Sequence, residues 1–183
     1  LSSLPNLDLL RGYLPPGIHQ ASHDEIRDRL VSIAPKPGLW PMSDRRKVLF
    51  SGYERLIEAL TLAGINTEQW IGGSFVSRTD APNDIDLINL CSVEAFEKLS
   101  PEVQAMVSQY FKGEQTAKHC HCDSYFAPAA PVGHPLDGDF AIIHNYWKKK
   151  LGHDREGYPK GIIARFVEST AITATELSDA SAA

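Results

Sequence analysis

Trp70-Ile71-Gly72-Gly73-Ser74-Phe75-Val76, a short polar loop, and then Asn83-Asp84-Ile85-Asp86-Leu87-Ile88 decide how this chain is read. The first run reads as a strand ending in a Gly-Gly-Ser turn, the second as a strand carrying paired carboxylates. Alternate residues of a strand share a face. Asp84 and Asp86 therefore point one way, and Ile85 and Leu87 point into an opposite, buried layer. Two aspartates held this close repel one another and lose hydration unless a cation accompanies them. A hard divalent metal on oxygen ligands, Mg2+ or in its place Mn2+, accounts for the pair at least cost. Gly72 and Gly73 put no side chain between a ligand and the backbone. Their amides and the Ser74 hydroxyl are placed to receive phosphate oxygens.

The rest of the chain sets bounds on that site. A length of 183 residues suffices for one well-buried domain, and 43% hydrophobic with 22% charged residues is ordinary globular composition. No apolar run approaches a membrane-spanning length, so no membrane association is expected. The net charge of -5 argues against a broad nucleic-acid surface, whose affinity comes from neutralising phosphates with basic residues. A small basic pocket stays compatible with it. Three cysteines, two of them in Cys120-His121-Cys122, make no disulfide framework, and a reducing cytoplasm is expected. No second Cys/His pair at zinc spacing follows that run.

In order, residues 1–42 read as an N-terminal arm with one short helix, 43–168 as the main domain, and 169–183 as a tail. Pro5, Pro15 and Pro16 make 1–20 an extended arm with little regular structure. Ser22-x-x-Glu25 is a capping box opening a helix through about Leu30, stopped by Pro35-Lys36-Pro37-Gly38. His19 and His23 read as solvated. Ser43 caps a longer helix over 44–63 with Val48, Leu49, Leu56, Ile57 and Leu60 along one stripe, and Gly64 follows as a left-handed terminator. Arg45-Arg46-Lys47 reads as its solvated first turn. Ser92 and Pro101 open two helices. The polar residues after Gly113 read as a turn, and 119–126 as a strand with His119, His121, Asp123 and Tyr125 on one face. Ala127–Pro135 reads as a loop. Asp137 opens a helix over 138–150 with Phe140, Ile143, Tyr146 and Trp147 as its apolar face, and 162–167 forms a last strand. Arg155 and Lys160, in the polar loop between them, are the cations expected near the bound phosphates.

Gly73-Ser74, a nine-residue spacer and Asp84-Ile85-Asp86-Leu87 resemble the signature of the nucleotidyltransferase superfamily, the DNA polymerase beta-like fold. The likeness covers roughly residues 45–127. Trp70 to Leu87, His121-Cys122-Asp123-Ser124-Tyr125-Phe126 and Lys160-Gly161-Ile162 also resemble a group of small bacterial nucleotidyltransferase-like proteins. The resemblance implies an α/β (α+β) domain whose mixed central sheet is flanked by helices. It places a third carboxylate on a later strand, where Asp123 is the matching residue; His121, two residues away on the same predicted face, is by alternation a candidate substrate contact. It implies that Asp84, Asp86 and Asp123 hold the metal, that Gly73 and Ser74 hold the phosphates of a nucleoside triphosphate, and that a monophosphate passes to a hydroxyl on a protein or small molecule. Small stand-alone relatives resemble toxin–antitoxin or defence components. The alternative is a non-catalytic nucleotide-binding or antitoxin-like module with the same fold.

Overall fold

The computed structural model describes residues 4–32, 44–129, 133–135 and 137–169. Among them, one six-stranded mixed sheet runs in the order β1-β6-β2-β3-β5-β4. Its strands are β1 Gly17–Gln20, β2 Thr67–Ile71, β3 Ile85–Ser92, β4 Lys112–Gly113, β5 Cys122–Ala129 and β6 Gly161–Val167. β2 is antiparallel to β3 and β6, while β3 pairs with β5, and β1 with β6, in parallel. A parallel pair needs a crossover. Helices α3 Val93–Glu97, α4 Pro101–Ser108 and α5 Glu114–Cys120 supply it between β3 and β5. The expected α+β class, with helices against a mixed sheet, is what the chain forms.

Alternation along the strands gives the sheet two packed faces. Ile71, Ile85, Leu87, Cys122 and Ile163 turn toward Leu49, Tyr53, Leu56 and Leu60 of α2 Asp44–Leu62, and toward Ile26 and Leu30 of the N-terminal segment. Trp70, Ile88, Leu90, Ala127, Ile162 and Ala164 turn the other way, beneath Trp147 and Leu151 of α6 Asp137–Leu151. On the α2 side one row is polar. Tyr53 Oη donates to Gln69 Oε1 (2.6 Å), Gln69 Nε2 to Asn89 Oδ1 (2.8 Å), and Asn89 Nδ2 to Ser124 Oγ (2.9 Å). Each group is buried and partnered, so the row links three strands without an orphaned dipole.

Several sequence expectations hold. Gly64 follows α2 at φ +75°. Ser22, Ser92 and Ser100 each cap a helix by accepting from the backbone N–H three residues on, with Pro101 in the first turn after Ser100. Other expectations need correction. The arm is part of the body: Leu4, Leu14, Ile26 and Leu30 belong to the same core as α2, and Gly17–Gln20 adds an edge strand to β6. Helix α1 His23–Arg27 passes into a π-helical turn, Asp28–Ser32, and His23 is half-buried, stacked on Phe50. Val48 is exposed, because 100° per residue carries it off the Leu49–Leu56 stripe.

The third predicted strand begins late. Residues 114–120 form α5 because Thr116 and Cys120, one turn apart, both reach the core. His121 then turns the chain at φ 56°, and β5 starts at Cys122 and continues to Ala129 because its pairing with β3 extends to Ser92. In α6, Trp147 and Leu151 are the buried positions, while Tyr146 stays exposed. Ser43, the Pro35–Gly38 run, the Asp137 side chain and residues 170–183 lie outside the described ones. Among the described residues no helix is long and apolar enough to cross a membrane.

A carboxylate pocket as the candidate active site

The site forms where β2 ends and β3 and β5 begin. Gly72 N–H donates to the Asp86 carbonyl (2.9 Å), the last bond between the two chains before the turn. Gly73 follows at φ +68°. A Cβ there would lie 1.6 Å from Asp86 Oδ2, so only glycine lets the turn close over this carboxylate. The Ile85 N–H donates to the His121 carbonyl (2.9 Å), which aligns the starts of β3 and β5. Asp86 and Asp123 are thereby register partners on adjacent parallel strands. Both lie on the α6 side, with Ile85 and Leu87 buried on the opposite face as predicted; Asp84 comes just before β3 begins.

A pocket of about 60 Å³ opens between these strands and the last turn of α6. Its walls include Gly73, Asp86, Asp123, Tyr125, Trp147 and Lys150. Burial, then the charges of Asp84 and Asp123, pushes the Asp86 carboxyl up to about 6. Lys160 and Lys150 oppose that rise without cancelling it. Burial and the Asp123 charge also raise Asp84, against Arg45 and Arg155. Burial lowers the Lys160 ammonium, whose Nζ donates to the Gly73 carbonyl (3.0 Å). Tyr125 is pushed up to about 12, by burial and by the carboxylate of Asp123 beside it. Asp123 Oδ1 is buried with no hydrogen-bond partner.

These features bear on whether a cation fits. The donors are hard carboxylate oxygens, one of them orphaned, next to a backbone turn bare of side chains. That chemistry suits Mg2+ or Mn2+ and is poor for a soft metal. Among the described residues, no three His, Cys, Asp or Glu side chains are already drawn together as a metal-binding group. The donors fit the ion in kind and are not preassembled around it.

A family model matches residues 5–165. The chain belongs to DUF6932, a family of unknown function. No curated protein and no solved structure matches it. In this DUF6932 chain, the pocket is lined by three of the seven site residues singled out in the sequence. Asp86, Asp123 and Gly73 line it, Asp84 acts on it through charge, and Lys160 holds its turn. Ser74 is half-buried beside it, with its carbonyl accepting from Ser77 Oγ (2.7 Å). Arg155 lies in a separate groove, although its charge reaches Asp84. His119 and His121 are not on β5 at all, since helix and turn occupy their positions.

Two sets of residues escaped the sequence reading. Arg46, taken for part of a solvated turn, is fully buried. Its guanidinium donates to the carbonyls of Leu30 (3.1 Å), Phe75 (2.8 Å), Ser77 (2.7 Å) and Thr79 (2.6 Å). It thus ties down the loop that follows Gly73-Ser74, while Arg45 donates to the Pro82 and Asn83 carbonyls just before Asp84. Lys150 and Tyr125 were also missed as pocket walls. Their signals were present: Tyr125 shares the face of Asp123, and Lys150 falls between buried Trp147 and Leu151.

Proposed function

We propose that the protein is a metal-dependent nucleotidyltransferase, moving a nucleoside monophosphate from a nucleoside triphosphate to a hydroxyl acceptor on a protein or small molecule. The observation that most supports this reading is the orphaned Asp123 Oδ1 beside its register partner Asp86. A buried oxygen without a partner, next to two further carboxylates, is unfavourable in a folded protein unless something cationic uses it. Asp84, Asp86 and Asp123 would hold Mg2+ or Mn2+, which when bound supplies charge neutralisation on the phosphates.

The chain's own residues have the remaining work. The Gly73 N–H and the Ser74 hydroxyl receive terminal phosphate oxygens, and Lys160 fixes the turn that presents them. The acceptor oxygen bonds to the α-phosphorus as the bond to the bridging oxygen breaks, and pyrophosphate leaves. The hydroxyl proton passes to a carboxylate oxygen of Asp123. Positioning and electrostatics, not covalent catalysis, carry such a reaction. A cytoplasmic role in a toxin–antitoxin or defence system belongs to the same proposal.

Two assays together test this: Mn2+ binding by calorimetry, and transfer of α-labelled triphosphate into lysate components. Asp86→Asn and Asp123→Asn are expected to lose both. Wild-type transfer by Asp86→Asn would refute the assignment. A second reading, a nucleotide-binding module without transfer, uses the same carboxylates and the same turn. Metal and triphosphate binding with no label transferred would select it.

A further inference from the structure

Beside the carboxylate pocket lies a larger, open groove of about 640 Å³, between the last turn of α6 and the 153–157 turn. Tyr146, Lys149, Lys150, His153, Asp154 and Arg155 line it. Its size is that of a small-molecule site, whereas the 60 Å³ pocket has room for an ion and a few waters. Lys150 belongs to both walls, with its Nζ 4.8 Å from the Trp147 ring centre and 5.1 Å from that of Tyr125. The groove therefore opens alongside the carboxylates.

Its charge is one-sided. Asp154 is the only acid among the described residues of the lining, and its carboxylate is occupied. It accepts from Tyr13 Oη (2.9 Å) and from the Glu156 (2.9 Å) and Tyr158 (2.8 Å) N–H groups. Lys149, Lys150 and Arg155 have no ion-pair partner among the described residues. Three cations without a close ion pair around one groove stand out in a chain of net charge -5, although the charges of Lys150 and Arg155 also reach Asp86 and Asp84. Compensation of the helix dipole explains lysines in the last turn of α6. It does not explain Arg155, which comes from the loop, nor the ring of Tyr146, 57% exposed one turn before Lys149 and Lys150. An exposed ring among cations offers stacking and phosphate neutralisation together.

We propose that this groove is a second ligand site, for a nucleotide unit: a phosphate ester carried beside a flat ring. Lys149, Lys150 and Arg155 take the phosphate and Tyr146 the ring. The unit is either a free mononucleotide or the terminal nucleotide of a single strand. A free mononucleotide would be the small-molecule acceptor of the transferred group, a role that rests on the function proposed above; binding of either form does not.

The probes are AMP, adenosine and a short single-stranded RNA, titrated by calorimetry in EDTA at low salt. Wild-type protein is expected to bind AMP, and adenosine far more weakly. Lys149→Glu with Arg155→Glu, both at exposed positions, is expected to weaken AMP about tenfold or more, from two lost charge-assisted contacts. Raising salt to about 0.5 M weakens wild-type binding independently of any variant. Asp86→Asn is expected to keep AMP binding while losing Mn2+, so the groove and the catalytic reading fail separately. Saturating AMP should leave Mn2+-dependent binding of a nonhydrolysable triphosphate intact. Equal affinity for RNA and AMP identifies the free nucleotide, and tighter RNA binding the strand end. Absence of AMP and RNA binding, affinity unchanged in the charge-reversed variant, or competition with the triphosphate would overturn the proposal.

Discussion

Replacing Asp86 with asparagine should stabilise the metal-free protein, and only above mildly acidic pH. The carboxyl is raised from 3.8 unfolded to about 6 folded. The native state therefore holds its proton over a range where the unfolded state has lost it. Stability falls as pH rises through that interval and stays lower above it. At about 1.4 kcal/mol per unit, a rise of roughly 2 units amounts to about 3 kcal/mol, reduced to 2–3 by the water that reaches the pocket mouth. For a domain of this size, roughly 2–4 °C in melting temperature accompanies each kcal/mol. Asp86→Asn removes the charge at nearly constant shape. In EDTA it should melt roughly 5–10 °C above wild type at pH 8 and level with it near pH 4. Added Mn2+ should raise the wild type and leave the variant unmoved. Thermal melts across pH, checked by urea unfolding, measure this directly. A variant less stable than wild type at pH 8, or a gap that does not change with pH, would refute the claim that Asp86 stands in uncompensated like charge.

Three further outcomes follow from the geometry. Gly73→Ala places a Cβ on Asp86 Oδ2 at a left-handed position, so Mn2+ affinity should collapse in calorimetry with a loss of about 2 kcal/mol in stability. Arg46→Met removes the donor to four carbonyls and should cost about 3–5 kcal/mol in urea unfolding, with Arg46→Lys recovering only part because an ammonium cannot reproduce the fork. Gln69→Leu leaves Tyr53 Oη and Asn89 Oδ1 facing an apolar group and should cost about 2–3 kcal/mol by the same measurement.

What was legible in the sequence was what strand parity controls. Asp86 and Asp123 take the same face of neighbouring strands, and Asp123 shares it with Tyr125, even though β5 begins three residues later than expected; Asp84 precedes β3, where alternation does not govern it. Segments held by distant partners were illegible. Arg46 sits in a basic run that reads as solvated, and its acceptors are 16 to 33 residues away. Helix α5 is seven polar-looking residues whose only periodic signal is Thr116 and Cys120. β1 is four residues among prolines, ordered by pairing with a strand more than a hundred residues later. In each case the deciding energy is tertiary, and local pattern does not contain it.

The position of the pocket follows from where α6 stops. On the α6 side of the sheet, β3 presents Asp86, Ile88 and Leu90, and β5 presents Asp123, Tyr125 and Ala127. Ile88, Leu90 and Ala127 are covered as core. At the starts of the same strands the helix is ending, with Leu151 its last residue, so the next inward positions lie at the margin of the packed layer. Apolar residues there would stay half wet. Carboxylates there lose part of their hydration to Trp147, Tyr125 and Leu151, and also face the partial negative charge of a helix C-terminus. Both effects disfavour anions, and Lys150 and Lys160 offset them incompletely, as the raised Asp86 carboxyl records. Such an arrangement stores unfavourable charge at one point, and a cation arriving there gains what the fold alone leaves unsatisfied.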